Sequence, residues 1–140
     1  YGLAFGYEVD SYGFTVAYGN MEDATNNVAL WGLTAYWSPE GLGTLSGGFE
    51  FGNPEGADNN DTSQWLLGYT TDLGPGEFQI GVGTNGRTVN DAAELMAYEV
   101  GYEYPINDSM TIKPFAFVAE VDGAGHDDTT GLGVLTTFKF

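Results

Sequence analysis

The chain has 140 residues, rich in Gly (22), Tyr (9) and Phe (9), and a formal net charge of −17 from 20 acidic and 3 basic side chains. That charge excludes nucleic-acid binding, because almost nothing basic exists to neutralise phosphates, and it excludes docking on anionic headgroups through a basic patch. The lack of cysteine excludes disulfides and thiolate metal sites. No apolar run is long enough for a membrane-spanning helix, although barrel strands alternate and would not show as one.

The opening residues alternate strictly with a period of two, which no helix uses. Tyr1, Leu3, Phe5, Tyr7 and Val9 fall on one face, with Gly2, Ala4, Gly6 and Glu8 on the other. After a turn at Asp10-Ser11 the pattern repeats, with Tyr12, Phe14, Val16 and Tyr18 against Gly13, Thr15, Ala17 and Gly19. A polar stretch over 20–27 leads into a third strand, about 28–38, whose oily face is Ala29, Trp31, Leu33, Ala35 and Trp37. Pro39-Glu40-Gly41 makes a tight turn. The fourth strand sets Leu45, Phe49 and Phe51 against Thr44, Ser46, Gly48 and Glu50.

A polar loop over 53–62 precedes the fifth strand, with Trp65, Leu67, Tyr69 and Leu73 opposite Gln64, Gly68, Thr70 and Asp72; Leu66 intrudes on the polar side. Gly74-Pro75-Gly76 turns the chain into a sixth strand, with Phe78, Ile80 and Val82 against Glu77, Gln79, Gly81 and Gly83. The loop at 85–91 holds the single arginine, Arg87. Strand seven sets Met96, Tyr98, Val100, Tyr102 and Tyr104 against Ala97, Glu99, Gly101 and Glu103, and Asn107-Asp108 turns it. Strand eight, about 109–121, is ambiguous: Met110, Ile112, Ala116 and Val118 mark one face, Phe115 and Phe117 the other. Pro114 predicts a bulge or local break there. After a loop at 122–128, the last strand has Leu132, Val134, Thr136, Phe138 and Phe140 on one face and Gly131, Gly133, Leu135, Thr137 and Lys139 on the other.

These nine predicted strands are joined alternately by short turns and long polar loops, as in outer-membrane barrels. The faces distinguish such a barrel from a soluble one. A small soluble barrel puts its bulky face inside and a charged face in water. Here the second face is mostly Gly, Ala and Thr with sparse Glu, a poor soluble surface but a fitting wall for a water-filled lumen. The predicted fold is therefore all-β, an antiparallel meander forming part of a transmembrane β-barrel. The chain starts at Tyr1 inside a strand pattern, and nine is an odd count where bacterial single-chain barrels are even. Both features favour a fragment of a larger barrel.

Parity places Glu8, Glu50, Gln64, Gln79, Glu99, Glu103, Lys113 and Lys139 on the water side. They are the predicted pore-lining residues, because a charge facing lipid is costly and rings of charge tune ion preference. Other chemistry is sparse. His126, the single histidine, sits beside Asp127 and Asp128 in a loop. One His with two carboxylates could ligate a metal, but a solvated loop is the favoured reading. Without a second His or a Cys, no Ser-His-Asp arrangement has support. Gly81-x-Gly83-x-x-Gly86 matches a dinucleotide fingerprint by letters only, since no helix follows it. Glu22, Asp23, Glu55, Asp58, Asp61, Asp91 and Asp122, with the two loop aspartates beside His126, make the long loops acidic, a solvated rim that could gather divalent cations. No enzyme, catalytic residue, cofactor or metal is predicted.

The ending Phe138-Lys139-Phe140 resembles the closing strand of bacterial outer-membrane proteins, in which a terminal aromatic and another two residues earlier are read by the assembly machinery. Tyr104-Pro105-Ile106-Asn107-Asp108-Ser109-Met110-Thr111-Ile112-Lys113-Pro114 resembles the penultimate hairpin of the carbohydrate-selective porin family, particularly its cyanobacterial branch. Residues 129–140 are similar to how those porins close. The resemblance covers roughly the last quarter of the chain. It implies that residues 1–140 are the C-terminal part of a porin barrel with about twice as many strands. The function so implied is passive diffusion of small hydrophilic solutes and ions; a non-pore adhesion or envelope role with cation-bridged loops is the alternative. Expected partners are outer-membrane lipid, the solutes and inorganic ions, the remaining N-terminal strands, and the assembly machinery through Phe138 and Phe140. A homotrimer is the oligomer considered, and the short turns are expected to face the periplasm.

Overall fold

A computed structural model describes residues 1–22, 27–55, 62–84, 94–122 and 127–139. They form one antiparallel meander of nine strands: β1 (Gly2–Val9), β2 (Tyr12–Glu22), β3 (Asn27–Trp37), β4 (Thr44–Glu55), β5 (Thr62–Leu73), β6 (Gly76–Thr84), β7 (Glu94–Asn107), β8 (Met110–Asp122) and β9 (Thr129–Phe138). Each strand pairs with its neighbours in sequence, and the order in the sheet is the order in the chain. Among the described residues there is no helix. Arg87, His126 and Phe140 lie outside the described residues, as do Asp23, Asp58, Asp61, Asp91 and Gly86.

The turns are built as their residues require. Val9 pairs with Tyr12 and Leu73 with Gly76, so Asp10-Ser11 and Gly74-Pro75 are two-residue hairpin loops. Gly74 takes φ +63°, which suits the first central position of a hairpin turn matched to the strand twist. Gly43 in the β3–β4 turn takes φ +81°, and a Cβ there would run into the Thr70 carbonyl. The β7–β8 loop is one residue later than predicted. Asn107 pairs with Met110, so Asp108-Ser109 turns the chain, and the Asn107 side chain accepts from the Ser109 N–H at 2.9 Å.

At the opposite end several strands run further than the polar letters suggested. Glu22 pairs with Asn27 and Asn53 with Ala29, because ladder hydrogen bonds use backbone groups that every residue but proline supplies in full. Of the bulge or local break expected at Pro114, the structure shows the break, and the bulge lies elsewhere. The register shift between β7 and β8 lies between Pro105 and Asn107. Beside Pro114 the pairing stops at Gly101–Phe115 and resumes at Tyr104–Ile112 in the same register, a local gap where proline has no N–H to give.

Register keeps each face continuous across the sheet. Tyr7, Phe14, Ala35, Gly47, Leu67, Val82, Tyr98, Val118 and Thr130 form one continuous row of cross-strand partners. Aromatic residues sit toward both ends of this outer face. Trp31 and Trp37 on β3 are six residues apart, roughly 20 Å along the strand. Tilted, that is roughly 15 Å of height, which lies within a barrel's apolar band of about 25 Å. Tyr18 and Trp31 pack across β2 and β3 with ring centroids 4.5 Å apart and planes tilted by 48°. Toward the turns, the Tyr69 hydroxyl donates to the Leu42 carbonyl and the Tyr102 hydroxyl to that of Leu73, each at 2.6 Å.

The hairpin ends are staggered. Trp37 and Leu45 share a row with Tyr69 and Ile80, four residues short of the Leu73–Gly76 pair that ends the next hairpin. The same row continues to Val100 and Ala116, with six residues of β8 still to run before Met110. A slide of roughly 20 Å across the five strand spacings from β3 to β8, about 4.8 Å each, corresponds to strands tilted by about 40°.

No hydrophobic side chain among the described residues is buried, and Phe5 and Leu132 are 63% and 86% exposed. A single sheet layer with an aromatic outer face has nothing to bury against in water. In hydrocarbon the same face is in its solvent.

Candidate functional site, the inner face of the sheet

Glu8, Glu50, Gln64, Gln79, Glu99, Glu103 and Lys113 lie on strands at positions opposite the aromatic face. Lys139 follows the end of β9 at turn level, where its backbone N–H donates to the Ser109 carbonyl at 2.9 Å. Between these side chains the inner face is mostly Gly, Ala, Thr and Ser.

The structure brings four of the predicted residues into two pairs and leaves Glu8 apart from both. Glu50 and Gln64 are cross-strand partners, and Gln64 Nε2 donates to Glu50 Oε1 at 3.1 Å. On β7 and β8, Lys113 Nζ reaches Glu99 Oε1 at 3.3 Å. The lysine stem lies over Gly101, where a Cβ would come within 2.7 Å of Lys113 Cε. Gly101 therefore leaves a track along which the lysine lies against the wall. Glu8, on β1, stands apart from both groups and faces the Tyr36 side chain across Gly13.

Two carboxylates outside the predicted set join this face. Asp72 pairs with Glu77, and Glu77 pairs with Glu103, which puts three acidic residues side by side on β5, β6 and β7. Gln79 Nε2 donates to Glu77 Oε1 at 2.6 Å. The signal was present in the letters: Asp72 and Glu77 flank Gly74-Pro75 symmetrically, so a two-residue turn must pair them. Their carboxylates lie about 5 Å apart at Cβ, close enough for repulsion.

Strand eight's ambiguity is resolved by its partner. Phe115 and Phe117 lie on the inner face, their rings over Gly133 and Gly131 of β9, where an added Cβ would collide with them. Tyr36 covers Gly13 in the same way, with a Cβ there only 2.6 Å from the ring. An aromatic laid across a facing glycine protects a backbone that would otherwise be bare. Among the described residues, no group of three or more acidic, His or Cys side chains is arranged to hold a metal ion.

The arrangement is a one-layer wall with an oily outer face, a polar inner face and no converging catalytic groups among the described residues. Comparison with protein families matches residues 1–126 to the Gram-negative porins. No curated protein and no solved structure matches the chain. With nine-tenths of its length inside that match, and a sheet of the corresponding architecture, the chain belongs to the Gram-negative porin family.

Proposed function

We propose that this sheet forms part of the wall of a water-filled pore in the outer membrane, through which small hydrophilic solutes and inorganic ions diffuse passively. The observation that carries it is the division of one sheet into a lipid-compatible face and a face of Gly, Thr, Glu, Gln and Lys. A non-pore adhesion or envelope role would not call for that inner wall. The carbohydrate-selective, cyanobacterial affiliation is supported by the hairpin at 104–114 and the ending at 129–140 alone. Conductance in planar bilayers tests the pore. Stepwise openings are expected, and a membrane-inserted protein that never conducts would favour the non-pore role.

In hydrocarbon the free edges of β1 and β9 would each leave a row of unpaired backbone groups. In a nine-strand meander β1 and β9 run in the same direction, so joining them directly would create a parallel ladder in an otherwise antiparallel barrel. An odd number of further strands between the two edges restores antiparallel pairing. We assign that place to the remaining N-terminal strands of a longer barrel. Phe138, at the end of β9, is the described half of the assembly signal.

The short turns are assigned to the periplasm and the long connections to the exterior, following the general asymmetry of such barrels. The chain has no cysteine, so single cysteines report this directly. On intact cells, Asp127→Cys should react with an impermeant maleimide, and Asp10→Cys should react after the outer membrane is opened. The reverse pattern would invert the orientation.

A further inference from the structure

A hollow of about 500 Å³ lies on the inner face over β1 to β5, beside Glu8. Two adjacent rows of the sheet build it. Glu8, Gly13, Tyr36 and Ser46 make one; Gly6, Thr15, Thr34, Gly48 and Leu66 make the next. The glycines leave the floor low. Leu66, 59% exposed, closes the far side as an apolar ridge.

The chemistry of the hollow is one-sided. The Glu8 carboxylate offers acceptor oxygens and faces the Tyr36 side chain. The hydroxyls of Thr15, Thr34 and Ser46 also accept, and among the described residues none of them is engaged by another side chain. The two described lysines lie at the other side of the sheet, on β8 and after β9, so no described cation balances Glu8. The Tyr36 ring lies over Gly13, immediately beside the carboxylate. A bare inorganic ion would find one carboxylate and no converging ligand set. A planar, donor-rich cation would find a carboxylate for its N–H fork, hydroxyls for the remaining donors and an aromatic face for its plane.

The geometry points to a binding site for a small solute carrying a guanidinium or amidinium group, with Glu8 as its anionic anchor and Tyr36 as its stacking face. This deepens the pore reading and rests on it, because the hollow must face the aqueous lumen. It makes Glu8 and Tyr36 specificity residues: solutes of this class dwell at the wall and obstruct current while they do.

The experiment uses the whole porin in planar bilayers, with methylguanidinium or tetramethylammonium added to a potassium chloride background. The two probes carry the same charge, but tetramethylammonium has no N–H to donate. Methylguanidinium should half-block the current at a concentration about tenfold lower or more, the size of a charge-assisted hydrogen-bond effect. Glu8→Gln, nearly isosteric, should erase the difference between the probes. Tyr36→Leu should reduce it with Glu8 intact, which separates stacking from charge. Channels blocked equally by both cations, or a preference unchanged in Glu8→Gln, would overturn this inference and leave the pore reading standing. Absence of any openings would overturn both.

Discussion

Ile80→Arg is expected to lower the folding free energy of the protein in lipid by about 2–4 kcal/mol, the cost of an arginine near the bilayer midplane on a barrel's outer face. Ile80 lies in the middle of the outer face, between Tyr69 and Val100 in register, and is half exposed. Its neighbour Gln79 projects from the opposite face. Gln79→Arg should therefore change stability by about 1 kcal/mol or less, since its charge enters water near Glu77. Urea unfolding of vesicle-inserted protein, followed by tryptophan fluorescence, measures both. Equal costs for these adjacent positions would show that the aromatic face does not meet lipid.

The second large effect concerns ion selectivity. Asp72, Glu77 and Glu103 form a row of neighbouring carboxylates on the inner face, whereas Glu99 is held by Lys113 at 3.3 Å. A carboxylate lowers the energy of a cation 4 Å away by about 1 kcal/mol in bulk-like water. Removing two of the three, in Glu77→Gln with Glu103→Gln, should lower the cation-to-anion permeability ratio by about fivefold. Lys113→Gln should move it the other way, by removing the positive charge beside Glu99. Both shifts should shrink at 1 M salt, where the screening length falls to about 3 Å. Reversal potentials under a salt gradient read the ratio. The double substitution also removes side-by-side like charges, so stability should hold or rise slightly, which separates a selectivity change from misfolding. An unchanged ratio in the double variant would remove this row as the selectivity element.

The eight predicted inner-face positions illustrate what alternation can and cannot convey. Parity places Glu50 and Gln64 on one face, but only their pairing across β4 and β5 makes Gln64 a donor to Glu50. Parity likewise says that Lys113 and Glu99 share a face. That the lysine reaches the carboxylate by lying over Gly101 follows from the β7–β8 register and from a missing side chain on the intervening residue.

The amino-acid sequence by itself determined the strands, the faces of all but the eighth, and all the short turns but the one between β7 and β8. With a period of two, a side chain's face depends only on whether its number is odd or even, and Gly, Pro, Asn and Asp mark where a chain can reverse. Polar letters at the far ends of β2, β3 and β4 concealed strand that continues, because a ladder is held by the backbone. Height along the strand was decided only by the tertiary structure. Glu103 joined the Asp72–Glu77 pair in one row, Phe115 and Phe117 came to rest on Gly133 and Gly131, and the hairpin ends acquired their stagger through pairing between strands. Parity carries no information about which residue of the next strand stands opposite. That depends on turn length, on the shift between Pro105 and Asn107, and on which partner leaves room for a ring.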